Sequence, residues 1–185
     1  MTLSYRFLSF SFLISSFFLV SCAEEDAVEI DIFEGDVNIA SQEELQDFVD
    51  RGHTSITGGL SINEGASGSA ISSLEGLATL QEIGGDLFIR NTSSLSSLAG
   101  LASITSIGGS LDIARNQALQ TTGGLDNLTS VSGITIAQNP SLTEVNGFER
   151  LAGLGQLLTL VGNNRLSDIS GFSNLTSIGG TLTIW

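Results

Sequence analysis

Lysine is absent from the 185 residues, and all six basic residues are arginine, set against 20 Asp and Glu. The formal net charge of −14 makes a surface that repels phosphate, so nucleic acid is excluded as a partner. There is one cysteine, which excludes an intramolecular disulfide. There is one histidine, so no Cys/His cluster of the kind that holds zinc is available. Aromatic residues are scarce, at 6%, while glycine is abundant, with 22 copies, a balance that points towards repetition. A membrane span is missing too. The uncharged stretch Phe7 to Val20 has 14 residues, short of the roughly 20 that cross a bilayer as a helix.

What that stretch does resemble is a secretory signal, with Arg6 as its positive start. It ends in Leu19-Val20-Ser21-Cys22, which is similar at every position to the box that directs lipid attachment to a cysteine in bacterial lipoproteins. Residues 1–21 are therefore read as the signal peptide and Cys22 as the lipid-attachment residue, the alternative being a spare or intermolecularly paired thiol. Acyl chains contribute about 0.8 kcal/mol per buried methylene, enough in combination to tether a protein that does not span. Residues 22–34 read as an acidic tether. Such a cluster behind the lipid cysteine looks like the surface-export signal of Bacteroidota lipoproteins, and otherwise is a self-repelling spacer. The expected location is the outer membrane, lipid-anchored and facing the exterior, with the periplasmic face as alternative. Without Arg6 the mature charge becomes −15, from five Arg and 20 acids.

From residue 35 onward the chain repeats itself. Ile83-Gly84-Gly85-Asp86-Leu87-Phe88-Ile89, Ile107-Gly108-Gly109-Ser110-Leu111-Asp112-Ile113 and Ile178-Gly179-Gly180-Thr181-Leu182-Thr183-Ile184 are copies of one segment. Aligned on their last strand residue, the copies and their variants end at 39, 62, 89, 113, 136, 160 and 184, steps of 23, 27, 24, 23, 24 and 24. Apolar columns recur between strands, among them Leu95, Leu119, Leu142 and Leu166, and Leu80, Ile104, Leu128, Leu151 and Leu175. A neighbouring column of Leu98, Val145 and Ile169 is broken by Thr122. Short alternating strands at a period near 24 predict a solenoid of stacked coils. Gly-Gly before each strand predicts tight corners of positive φ. Asn116, Asn139 and Asn163, with Thr92 in the equivalent place, sit three residues past the strand and predict a side-chain ladder between coils.

Ser41-Gln42-Glu43-Glu44 reads as a helix capping box, followed by a short helix burying Leu45, Phe48 and Val49. Such a helix covers the first coil of a solenoid, so 35–53 is the N-terminal cap of a domain spanning 35–185. No closing coil follows the last strand before Trp185; the edge is expected to be covered by Trp185, by a partner, or by a further part of a longer reading frame.

Gly35-Asp36-Val37-Asn38-Ile39 with its capping helix, Ile56-Thr57-Gly58-Gly59-Leu60-Ser61-Ile62, and the later Leu-x-Gly-Leu and Ile-Gly-Gly-x-Leu-x-Ile coils together resemble bacterial receptor L-domain-like, leucine-rich-repeat-related surface lipoproteins of Bacteroidota type. The resemblance covers residues 35–185. It implies a mainly β, right-handed solenoid with a parallel sheet and an N-terminal α cap. It also implies a binding module, with no catalytic or ligand residue to carry over.

Strand alternation places Asn38, Ser61, Phe88, Asp112, Thr135, Thr159 and Thr183 in one outward column. Phe88 is the exception in a small, polar face, and with Asp86, Arg90 and Asp112 it forms the candidate ligand-binding set, since aromatics and Arg dominate binding energies. The plainer reading has Phe88 packed on a loop and Arg90 paired with Asp112. Asp86 and Asp112 lie within range of an inverting glycosidase pair, but an open sheet encloses neither. His53 falls in the turn Gly52-His53-Thr54, where a solvated role is expected. No cofactor, metal or catalytic residue is expected. The leading function is a non-catalytic surface module binding a protein or glycan; a structural spacer comes second and a weak hydrolase third.

Overall fold

The computed structural model describes residues 31–185. Cys22 and the signal peptide lie outside the described residues, as does most of the acidic tether. A seven-stranded parallel sheet runs the length of the domain, its strand order following the chain. Its strands, taken here as rungs 1 to 7, are Val37–Ile39, Leu60–Asn63, Leu87–Arg90, Leu111–Ala114, Ile134–Ala137, Leu158–Val161 and Leu182–Ile184. The register pairs Ile39 with Ile62, Ile89, Ile113, Ile136, Leu160 and Ile184 in turn, as the repeat alignment predicts. This is a β-solenoid of leucine-rich-repeat-like coils.

Period-2 alternation explains the rungs. In Leu87-Phe88-Ile89-Arg90, Leu87 and Ile89 are fully buried while Phe88 and Arg90 are half-buried on the open face. A second edge of each coil carries two-residue strands, with Ile32–Phe33, Ser55–Ile56, Glu82–Ile83 and Ser106–Ile107 stacked in parallel. Ile32 and Phe33, at the end of the stretch 22–34 read as the acidic tether, thus belong to the solenoid, because they pair with Ser55 and Ile56. The third side is built from short 3-10 turns, such as Glu75–Thr79 and Ala99–Leu101. The leucine columns fill the space between, and Leu95, Leu119 and Leu142 have no exposed surface.

Thr122, the break in its column, is also fully buried. Its hydroxyl donates to the Asn146 carbonyl at 2.8 Å and accepts the Asn146 N–H at 3.1 Å, so the polar group is satisfied inside the core. The asparagine ladder forms as predicted. Asn116 Nδ2 donates to the Ile89 carbonyl, while its Oδ1 accepts both the N–H and the hydroxyl of Thr92. Asn139 repeats the pattern with Ile113 and Asn116, and Asn163 with Ile136 and Asn139.

The corners differ from expectation. Positive φ falls not on the Gly-Gly pairs but on the residue after the strand: Asn91 (56°), Arg115 (59°), Gln138 (58°) and Gly162 (66°). The Gly-Gly pairs answer to crowding between coils instead. A Cβ on Gly84 would strike the Thr57 carbonyl, and one on Gly108 would strike the Gly84 carbonyl. Each coil rests backbone to backbone on the one before.

The cap is the helix Gln42–Val49, in which Leu45 and Phe48 are buried and Val49 packs against the core. Ser41 Oγ accepts the Glu44 N–H at 3.3 Å, and Glu44 returns a bond to the Ala40 N–H rather than to that of Ser41. The 27-residue step lengthens the loop after rung 2, and this loop docks on the cap: Gly65 N–H bonds the Ala40 carbonyl and Ser69 N–H bonds Glu43. Hydrogen bonds to the Glu43 carboxylate, first from the Ser69 hydroxyl and then from the Glu43 and Ser69 backbone N–H groups and the Ser41 hydroxyl, lower its pKa from 4.5 to about 2. His53 is not solvated. Its ring packs between Phe33 and Phe48, with centroids 5.3 and 5.4 Å away, and its side chain is 14% exposed. Nδ1 lies 3.1 Å from Asp31 Oδ1 without hydrogen-bond geometry. The turn folds back over the start of the solenoid, which sequence position alone does not disclose.

At the opposite end, Leu182 (54%), Ile184 (55%) and Trp185 (82%) are exposed, so Trp185 does not cover the last rung.

Candidate binding face

The open side of the seven-stranded sheet carries the residues singled out by sequence. Rungs 3 and 4 bring three of them into contact. Arg90 Nε donates to Asp112 Oδ1 at 2.9 Å and Nη2 to Oδ2 at 2.7 Å, a two-pronged pair across adjacent rungs. The Asp112 hydrogen bonds raise the Arg90 pKa above its ordinary value. The same guanidinium lies over Phe88, its Cζ 4.3 Å from the ring centroid. Phe88 is therefore packed beneath Arg90 and not on a loop, and Arg90 does pair with Asp112. The three form one fixed unit, because Asp112 holds Arg90 and Arg90 holds the ring.

Asp86 plays a different part. Its Oδ1 accepts the Ser110 N–H of the next coil at 2.7 Å. Asp36, two rungs earlier in the same column, does the same for Gly59 N–H at 2.7 Å. Both are corner residues whose side chains extend the coil-to-coil hydrogen bonding by one step. With Asp86 bonded to backbone and both Asp112 oxygens held by Arg90, the two carboxylates do not form a free acid–base pair.

Two depressions flank the Phe88–Arg90 unit. One, of about 430 Å³, lies over rungs 1 to 3 and is lined by Asp36, Asn38, Gly59, Ser61, Asp86 and Phe88 among others. It exists because at this level rung 2 puts only Gly59 and Ser61 outward, between larger residues on rungs 1 and 3. The other, of about 360 Å³, lies beyond Arg90, with Ala114 and Ala137 as its floor and Arg115 and Gln138 at its rim. Arg115 Nε donates to Gln138 Oε1 at 3.0 Å, a bond between two left-handed corners. Asp36, Asn38 and Ser61 line the first depression but are not in the candidate set read from sequence, which places Asn38 and Ser61 only in the outward column. The signal for Asp36 was present, since Gly35-Asp36-Val37 matches Gly85-Asp86-Leu87.

Among the described residues no group of three or more His, Cys, Asp or Glu could hold a metal ion, and no helix is long and apolar enough to cross a membrane.

Fold and face together define a parallel β-solenoid with one open sheet. The family model of the Receptor L domain matches residues 52–143, from the turn after the capping helix to the loop after rung 5. That segment is therefore similar to receptor L domains, in line with the family resemblance read from the repeats. No curated protein and no solved structure matches the chain.

Proposed function

We propose that the chain is a non-catalytic ligand-binding module, held at a membrane by lipid on Cys22 and facing the cell exterior, which presents rungs 1 to 5 of its sheet to a protein or glycan. The observation that carries this reading is the Phe88–Arg90–Asp112 unit, an aromatic ring held in place on an otherwise small and polar face. A side chain already fixed before binding loses little conformational freedom on contact, and this is how a few residues come to dominate an interface. The similarity of residues 52–143 to receptor L domains supports binding as the class of activity. The net charge of −14 favours partners that are neutral or basic over anionic ones.

Cells displaying the full chain should adhere to, or capture, a ligand-bearing surface that control cells do not. The double substitution Phe88→Ala with Arg90→Ala should remove that difference, and unchanged adhesion by the double variant would sink the proposal for this face. Cys22→Ser should move the chain from the membrane to the soluble fraction and abolish incorporation of labelled fatty acid. Retention in the membrane by that variant would overturn the anchor.

A further inference from the structure

The depression over rungs 1 to 3 has a construction that the rest of the face lacks. Its floor is Gly59 and Ser61, so the backbone of rung 2 is nearly bare. One wall is Phe88 on rung 3, and the other is Asp36 and Asn38 on rung 1. Strand spacing puts rungs 1 and 3 about 9.6 Å apart, twice the roughly 4.8 Å between neighbouring strands. Its 430 Å³ falls inside the range of roughly 300–1,000 Å³ typical of small-ligand clefts.

The chemistry of the walls narrows the occupant. Asp36 Oδ1 is committed to Gly59 N–H, which fixes the carboxylate, and its Oδ2 has no hydrogen bond among the described residues. Asn38 is exposed and offers an amide donor and acceptor, and Ser61 offers a hydroxyl. Asp86 reaches the other way, to Ser110 N–H on the next rung, so one carboxylate rather than two serves the cleft. The Arg90 guanidinium, whose charge Asp112 offsets, already makes the cation–π contact on Phe88, so an incoming cation gains little from the ring. A flat, wholly apolar ligand would leave Asp36, Asn38 and Ser61 without partners. The remaining match is a ring with one apolar face and many hydroxyls. We propose that the cleft over Gly59 and Ser61 is a sugar-ring subsite, in which Phe88 is the packing wall and Asp36, Asn38 and Ser61 bond the hydroxyls. This rests on the binding-module reading above and specifies its ligand class.

The test is a printed array of defined neutral hexose, N-acetylhexosamine and uronate oligosaccharides, probed with the purified full chain in detergent micelles. At least one saccharide should bind. Phe88→Ala and Ser61→Phe, the second filling the cleft, should each weaken that binding tenfold or more. Thr159→Ala on rung 6, outside the proposed face, should leave it unchanged, and all three variants should keep the parent's thermal unfolding midpoint within a few degrees. Binding that survives both cleft variants would place the saccharide elsewhere and overturn the subsite. So would an array on which nothing binds, or a cleft-dependent signal from an arginine-rich peptide in place of any sugar. If the array is silent while the Phe88/Arg90 double variant still abolishes cell adhesion, the sugar assignment fails and the binding face stands. If adhesion is also unaffected, both fail.

Discussion

Two polar columns stand on opposite sides of the same strands. Inside, Thr92, Asn116 and Asn139 are fully buried and bind the coil before or after them, Thr92 through its hydroxyl and the two asparagines through amide oxygen and nitrogen. Outside, Asp86, Phe88, Arg90 and Asp112 occupy an open sheet, where Phe88, Arg90 and Asp112 hold one another and Asp86 bonds the backbone of the next coil. The inner column is a stacking device, since removing any member strands backbone groups that water does not reach. The outer cluster can lose a member and be rehydrated. Burial, and not polarity, separates a residue that holds the solenoid together from one free to meet a ligand.

The sharpest break of that contrast is Asn116→Ala. It leaves the Thr92 N–H, the Thr92 hydroxyl and the Ile89 carbonyl without their partner. At about 1–3 kcal/mol for each unsatisfied buried group, with some relief from rearrangement, a loss of about 3 kcal/mol is expected. Urea unfolding would read it as a lower midpoint at similar slope. A change below about 1 kcal/mol would mean the ladder is ornamental. On the outer side, Arg90→Ala should destabilise by only about 1 kcal/mol, because Arg90 is 37% exposed and solvent screens the pair. Its effect on ligand capture should be far larger than its effect on stability, and the reverse order would erase the distinction between the two columns.

A smaller effect is expected where polar contacts are exposed but hydrogen-bonded to backbone. Glu43, with its pKa lowered to about 2, clamps the lengthened loop onto the capping helix. A carboxylate whose folded pKa is depressed stabilises the fold above its ordinary value of 4.5, and that contribution fades as pH falls towards 2. Between those limits the acid limb of the stability profile should flatten in Glu43→Gln relative to the parent. Equal slopes would show that the clamp does not matter. Smallest of all should be Gln138→Gly, which relieves a left-handed backbone but gives up the bond from Arg115, leaving stability within about 0.5 kcal/mol.

Much of the fold was legible in the sequence because its determinants are periodic. Inward and outward positions alternate by covalent geometry, and the spacing of Ile39, Ile62, Ile89 and their successors already gives the register of the sheet. The asparagine ladder follows from the same spacing. The corners were misread at one point. Gly-Gly suggested positive φ, whereas what the coils require there is the absence of a Cβ against a neighbouring carbonyl, a constraint that comes from the stack and not from the turn. The candidate site was half legible. Phe88, Arg90 and Asp112 could be named from their columns, but Asp36, Asn38 and Ser61 looked like ordinary solvated positions.

What the sequence by itself determined is therefore the ladder: coil length, the apolar columns, the buried amides and the side of the sheet on which each residue stands. These are set by short-range repetition, and every copy reinforces the same answer. The pairing of Arg90 with Asp112 is one the sequence already offers; tertiary structure alone decided the other meetings of these side chains. Arg90 covers Phe88, Asp86 turns to Ser110 rather than to the cleft, and His53 folds between Phe33 and Phe48. Those outcomes depend on side-chain rotamers and on which small residue occupies the rung between, a comparison across coils 23 to 27 residues apart that no single repeat contains.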